Sequence, residues 1–155
     1  MTGMQPRIDG VRLVPLRRID DDRGSVLHML KSTDEWFVGF GEMYFSTVLP
    51  GAVKAWRRHT RMTTNLAVPV GTVRVLLVDE RADSATSGLA DEISLGDGNY
   101  GLLIVPPFVW SGFYNDSPST VLVANCASLP HDPAEVERRD ANDSRMPQPW
   151  SNRRA

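Results

Sequence analysis

"VGTVRVLLVDERADSATSG", residues 70–88, sets Gly71 before a run rich in valine and leucine and breaks at Asp79 into a polar loop. An apolar run bounded by a glycine on one side and a polar excursion on the other reads as a buried strand. The same pattern repeats outward in both directions. "VRLVPL" (11–16), "SVLHML" (25–30), "EMYFSTVL" (42–49) and "NLAVPV" (65–70) precede it or abut it. "EISL" (92–95), "YGLLIVPP" (100–107) and "TVLVANCAS" (120–128) follow, with "PG", "GDGN" and "NDSP" among the breaks. Many short strands with turn signals between them predict an all-β sandwich or barrel, and no long stretch shows apolar residues at helical spacing. From Pro130 the chain turns polar. "DPAEVERRD" (132–140) reads as a short helix capped by Asp132 with Pro133 at its first position. The tail beyond is irregular, and Trp150 within it signals docking. With no internal repeat, residues 1–155 read as a single domain.

The chain is long enough for a real core at 155 residues. Its formal net charge of -2 argues against a dedicated nucleic-acid binder, which carries a basic balance. Cys126 is the sole cysteine, so no intrachain disulfide forms and a reducing, cytoplasmic setting is expected. Its apolar surroundings mark it as a core thiol rather than a nucleophile. "MTGMQPRIDGVRLVPLRR" holds no apolar stretch suited to a signal peptide or a membrane span, so no membrane partner is expected.

Charge concentrates in "KAWRRHTR" (54–61), which reads as a nucleic-acid patch, a solvated strand face or the floor of an active site. On a regular strand, alternation places Ala55, Arg57, His59 and Arg61 on one face and Lys54, Trp56 and Arg58 on the other. If the His59 face points into a barrel, Arg57 and Arg61 follow it inward and require an anion. A neutral imidazole beside phosphate-binding arginines suits the deprotonation of a phosphate-tethered substrate. Metal binding is not expected. Arg57 occupies the position two before His59, where a metal-binding H-x-H pair needs a histidine, and His28 and His131 are distant in sequence.

Three segments carry a family resemblance. "DDRGSVLHML" (21–30), "VGTVRVLLVDERADSATSG" (70–88) and "LLIVPPFVWSGF" (102–113) resemble the D-x-R-G, G-x-V-x-D-V-x-V-D-x-R-x-x-S-x-T-x-G and I-P-x-G-x-x-H-G-F motifs of the dTDP-4-dehydrorhamnose 3,5-epimerase family. Order and spacing agree from residue 20 to about residue 135. The resemblance implies a cupin-like jelly-roll barrel, a homodimer and a sugar-nucleotide pocket. It implies an isomerase that takes a proton from beside the ketone of a dTDP-4-keto-6-deoxyhexose, with no cofactor, in deoxysugar biosynthesis. His59 falls on the family's catalytic histidine. Arg23 falls on the arginine of D-x-R-G, which contributes to diphosphate binding, often across the dimer; its plainer reading is a turn residue before Gly24.

The departures are as specific. The family's R-G-L-H has become "WRRH" (56–59), so Trp56 stands where an arginine is expected. "TTNLAV" (63–68) lacks the lysine that steadies the enolate. "SRMPQPWSNRRA" (144–155) shows no acidic partner for the histidine, leaving Asp140 or Asp143 by another chain path. The family's tyrosine acid is replaced in "SLPHDPAE" (128–135) by His131, with nearby Tyr114 as a second candidate, and H-G-F is now Ser111–Phe113. On this reading His59, His131 and Tyr114 are the candidate catalytic groups, and Arg23, Arg57, Arg61 and Trp56 the substrate-binding ones. Two other readings accompany it. One is a barrel repurposed for cyclisation or isomerisation in natural-product biosynthesis, with Trp56 as an aromatic wall for an apolar ligand. The other is a ligand-binding module without turnover.

Overall fold

The apolar runs become strands, as the computed structural model shows for residues 5–151. In chain order these are β1 (Arg12–Pro15), β2 (Arg18–Asp21), β3 (Gly24–Leu27), β4 (Glu42–Val48), β5 (Val53–His59) and β6 (Thr64–Val70). They continue with β7 (Thr72–Asp79), β8 (Ala90–Gly96), β9 (Gly101–Val105), β10 (Val109–Tyr114), β11 (Val121–Ala127) and β12 (Val136–Arg138). One antiparallel sheet has the order β1-β9-β6-β11-β4 and a second has the order β12-β5-β10-β7-β8. The β2–β3 hairpin stands apart as a two-stranded ribbon. This is the all-β, jelly-roll architecture expected, and among the described residues no helix is long and apolar enough to cross a membrane.

The two sheets face one another over a shared core. Leu66, Val68, Leu103, Val105, Val121 and Val123 from the first meet Val73, Val75, Leu77, Ile93 and Leu95 from the second. Alternation along β7 sends Val73, Val75 and Leu77 to this core, while Leu76 and Val78 face outward into a separate cluster. That outer cluster explains why β7 reads as a continuous apolar run: it is buried on both faces. Met146 and Trp150 of the tail cover it. Trp150 packs at 5.5 Å from Trp56 and edge-on at 5.8 Å from Tyr114. Each such aromatic pair contributes about 1 kcal/mol beyond its buried area. The docking that Trp150 signalled is therefore present.

The polar loop after β7 owes its shape to one buried carboxylate. Asp79 accepts hydrogen bonds from Arg81 Nε (2.8 Å) and Nη2 (2.9 Å), Ser84 Oγ (2.6 Å) and Thr86 Oγ1 (2.7 Å). The Arg81 guanidinium, against the opposing effect of burial and with help from the two hydroxyls, holds this carboxyl well below the usual carboxylate range. Four of the most specific motif residues thus staple a loop.

The C-terminal segment differs from the expected helix. Asp132 does cap a turn, accepting from the Ala134 N–H at 2.9 Å, but only Pro133–Glu135 is helical, as one 3-10 turn. Val136–Arg138 then pairs antiparallel with β5, matching Val136 to His59 and Arg138 to Arg57. The open edge of β5 offers ladder partners that a three-residue helical extension does not. β12 is reinforced from outside. Arg58 and Arg139 stack on Trp110 at 4.8 and 4.2 Å, Arg58 pairs with Glu137, and Arg139 binds both oxygens of Glu80.

Candidate active site

The cationic stretch of β5 does not alternate as a regular strand does. Ser111 of β10 pairs with Arg57, but Phe113 pairs with Lys54, so two residues of β5 stand opposite Gly112 alone. This is a β-bulge, which adds one residue to a strand and re-aims the side chains beyond it. The Ala55–Trp56 peptide bond within it is cis. Gly112 permits the close approach, since a Cβ there would lie 2.5 Å from Ala55 Cβ. Lys54, Arg57 and His59 consequently share the inner face, while Ala55 and Trp56 turn outward to the cluster beneath the tail.

The expected face assignment is corrected by this shift. Lys54 was expected opposite His59 and lies beside it; Ala55 was expected beside it and faces away. Trp56 is 1% exposed and sealed under Trp150, so it forms no wall of the cavity. Tyr114 is buried in the same outer cluster, its hydroxyl donating to Glu92 Oε1 at 3.3 Å, which removes it from the candidate acids. Arg61 lies past the end of β5 and donates to Asp132 Oδ2 at 2.8 Å, instead of following His59 inward. Arg23 sits at the tip of the β2–β3 hairpin, 84% exposed at its side chain and paired with Asp21 at 2.8 Å; within one chain it does not line the cavity. His131 is exposed but does border the outer cleft.

The inner cavity is lined by Lys54, Arg57 and His59 on the second sheet and by Tyr44, Thr64, Leu66 and Asn125 on the first. An outer cleft shares Tyr44, Arg57 and His59 and adds Glu42, His131 and Arg138. Arg57 and Arg138 are directly opposed across β5 and β12, and among the described residues no carboxylate pairs with either. Like charges so placed repel, and an anion between them relieves the repulsion. Thr64 is buried, and its hydroxyl has no hydrogen-bond partner among the described residues.

The acidic partner of His59, sought at Asp140 or Asp143, is Glu135. Asp143 instead pairs with Arg145, and Asp140 accepts from the Asn142 N–H. Because β12 follows the capped turn directly, Glu135 lands beside the end of β5. Its Oε1 lies 2.5 Å from His59 Nδ1, and its Oε2 accepts from the backbone N–H groups of Thr60 (3.1 Å), Arg61 (3.0 Å) and Met62 (3.2 Å). Burial pushes the Glu135 carboxyl up, but the hydrogen bonds from His59 and from the Arg61 and Met62 amides outweigh it and hold the group below its usual range. An ionised carboxylate only accepts, so His59 Nδ1 carries a proton, and Nε2 is the ring nitrogen turned away from Glu135. A local signal existed: Asp132 and Glu135 have the spacing of a capping box. Nothing in the sequence tied that box to His59.

Cys126 is half-buried, burial raises its thiol, and it does not line the cavity. Among the described residues no group of three or more metal-ligating side chains converges.

No family model matches the chain. It is 45% identical to the crystal structure of a dTDP sugar isomerase from Desulfovibrio desulfuricans G20, with a TM-score of 0.90, covering 94% of this chain and 93% of that one. It is 31% identical over 121 residues to the "Probable low-salt glycan biosynthesis epimerase Agl13" of Haloferax volcanii, covering 76% of this chain and 78% of that protein. The dTDP-4-dehydrorhamnose 3,5-epimerase of Bacillus anthracis shares the fold at 20% identity and a TM-score of 0.82, covering 97% and 90% of the two chains.

The Glu135 arrangement has a pH signature. A folded-state pKa below the unfolded value contributes stability that is full above about pH 4.3 and is lost as pH falls through the folded value. Glu135→Gln sets an amide N–H₂ against N–H donors, at a cost of about 1–3 kcal/mol near neutrality. Urea unfolding should show the gap between wild type and Glu135→Gln narrowing steadily below about pH 4. A gap that stays constant down to pH 3 contradicts this account.

Proposed function

Because the chain belongs to the dTDP-4-dehydrorhamnose 3,5-epimerase family of sugar-nucleotide epimerases and isomerases, we propose that it epimerises a dTDP-4-keto-6-deoxyhexose by proton abstraction next to the ketone, in cytoplasmic deoxysugar biosynthesis. The observation that carries this reading is His59, oriented by Glu135 and set beside Arg57, which among the described residues meets no carboxylate, and Lys54, whose ammonium also donates to the Thr47 carbonyl at 2.7 Å. His59 Nε2 is the base. The ketone acidifies the adjacent C–H, so the electron pair left by the proton moves to the ketone oxygen, and enolisation of this kind needs no cofactor. Lys54 supplies positive charge for that oxygen. Lys54, delivered by the bulge in β5, takes the part of the lysine missing from residues 63–68. Arg57 and Arg138 form the diphosphate clamp. Trp56, expected as an aromatic wall for an apolar ligand, lies outside the cavity.

The homodimer is part of the same proposal. β4 is an open edge strand whose outer face exposes Met43 (47%) and Phe45 (60%), beside exposed Val38 and Phe40. Such a long apolar edge calls for cover. Arg23, remote from its own cavity and exposed on the hairpin tip where it pairs with Asp21, is placed to reach a partner's. Light scattering should give twice the chain mass in wild type and a monomer in Phe45→Asp; a wild-type monomer ends the dimer proposal.

Proton NMR of dTDP-4-keto-6-deoxyglucose in deuterium oxide tests the chemistry. Wild type should wash deuterium into C3 or C5, and His59→Ala should slow this by on the order of 10²–10⁴-fold. Absence of exchange in wild type with the nucleotide visibly bound sinks the enolisation reading. For the clamp, Arg138→Ala should weaken dTDP binding about tenfold or more by calorimetry, the loss of a charge-assisted hydrogen bond. Unchanged affinity would remove Arg138 from the nucleotide site.

A further inference from the structure

Epimerisation needs a second proton carrier. The enolate is planar, and inversion occurs only if the new proton arrives on the face opposite the base. His59 stands on the second sheet, so that donor must come from the first sheet or from the rim between them. The first sheet contributes Tyr44, Thr64, Leu66 and Asn125 to the inner cavity. Leucine and an amide donate no proton to carbon, and an aliphatic hydroxyl is far too weak an acid. Tyr44 is left, and a phenolic O–H is a far better proton donor than an aliphatic one.

The hydrogen bonds around Tyr44 fix where its proton points. Asn125 is its register partner across β11 and β4, so the two side chains stand on the same inward face. The backbone N–H of Asn65 donates to Asn125 Oδ1 at 3.1 Å, committing that atom as acceptor and turning Nδ2 toward the tyrosine. Nδ2 then donates to Tyr44 Oη at 2.8 Å. The phenol oxygen is therefore an acceptor in this bond, and its own proton goes to no other described residue. The same N–H stabilises a phenolate once the proton has left, because a donor held to the charged form favours that form. Thr64, next to Asn65 on β6, independently marks this wall as ligand-facing: its buried hydroxyl lines the cavity with no partner among the described residues.

We propose that Tyr44 is the proton donor on the face opposite His59, held in its donating orientation by the Asn65–Asn125 relay; this rests on the enolising reading of the site. His59 Nε2 takes the proton from the carbon beside the ketone, and the C–H pair becomes the enolate. The Tyr44 O–H then breaks, its proton forms a new C–H bond on the other face, and the enolate electrons return to that bond as the ketone is restored. Tyr44 is left as phenolate and His59 as imidazolium, and exchange with water at the open cleft returns both to their starting forms. Substrate and product are isomers, so no further reactant is consumed. Tyr44 thus does from β4 what the family's tyrosine does from beyond its last long strand. Asn125 is a positioning residue.

Tyr44→Phe, His131→Ala and His59→Ala, each first shown to fold and to bind dTDP, are compared on the 4-keto sugar nucleotide in deuterium oxide. Deuterium wash-in and formation of the epimer are followed separately by NMR. Tyr44→Phe should keep wash-in within about tenfold of wild type, since His59 still removes and returns a proton on its own face. Its epimer formation should fall by about 10²-fold or more. His59→Ala should lose both. Normal epimer formation in Tyr44→Phe overturns the assignment, as does loss of wash-in together with epimer formation. The split pattern in His131→Ala with normal Tyr44→Phe moves the donor to the rim. If wild type itself shows neither wash-in nor epimer, the enolising reading fails, and the Tyr44 assignment with it.

Discussion

Glu135 is the point on which the site closes. One carboxylate oxygen faces His59 Nδ1 and the other gathers the N–H groups of Thr60, Arg61 and Met62, the three residues immediately after β5. The turn that ends the strand is thereby fixed by the same group that fixes the imidazole. The Thr60 N–H also reaches the Glu135 carbonyl oxygen at 2.9 Å, but without the carboxylate the Arg61 and Met62 N–H groups would each need another partner, so the turn after β5 presupposes Glu135. Glu135 in turn is held by β12 on the edge of β5. The Arg58–Trp110–Arg139 stack with Glu80, and the Trp150 anchor over Trp56, hold β12 from outside. Packing on the outer face of the second sheet thus sets the tautomer of a histidine on its inner face.

The two sheets divide the chemistry between them. The second carries the cations and the base, and the first carries neutral hydroxyl and amide groups. That asymmetry follows from the β5 bulge: without the extra residue, Lys54 would point outward with Trp56. Below the cavity, Leu66 and Phe113 mark where the polar site gives way to the packed core that holds the sheets at fixed separation. Side chains carried on paired strands over such a core are held more rigidly than loop residues, as the proposed action on opposite faces of one small substrate requires.

The fold was legible because its signals are local. Val/Leu runs bounded by Gly, Pro and Asp gave the long strands, and Gly71, at φ +81°, makes the turn from β6 to β7 that the motif "VGT" implies. His59 and Arg57 were legible as inward-facing for the same reason, being two apart on one strand. What alternation does not carry is an interruption of itself, so Lys54 and Trp56 were assigned to the wrong faces. Glu135 was hidden differently. It sits in a polar segment where a buried acid looks like any solvated one, and only the pairing of β12 with β5 reveals its role. Tyr44 looked like one more aromatic in "EMYFSTVL"; its orientation depends on Asn125, eighty-one residues away in the chain. Arg61 failed for a simpler reason: the strand stops at His59, and alternation stops with it.

The opposition of Arg57 and Arg138 shows what such a site costs the fold. Two guanidiniums face each other in register on adjacent strands, a placement that destabilises a pair by up to about 1 kcal/mol. Glu42 is the carboxylate that also borders the cleft, and it does not pair with either arginine. Elsewhere in the second sheet cations are matched carefully: Arg58 with Glu137, Arg74 with Asp116, Arg139 with Glu80. The sheet therefore has acids available and leaves this pair without one. Repulsion that is tolerated in the free protein and relieved by an incoming anion converts directly into affinity, because the binding free energy includes removal of the strain. A diphosphate carries enough charge to serve both guanidiniums, and it would fasten the substrate at the rim while the sugar reaches inward to His59. Unmatched charge at the mouth and matched charge around it are thus two parts of one arrangement; on the proposed reading, the nucleotide is held where neither the base nor the donor has to bind it.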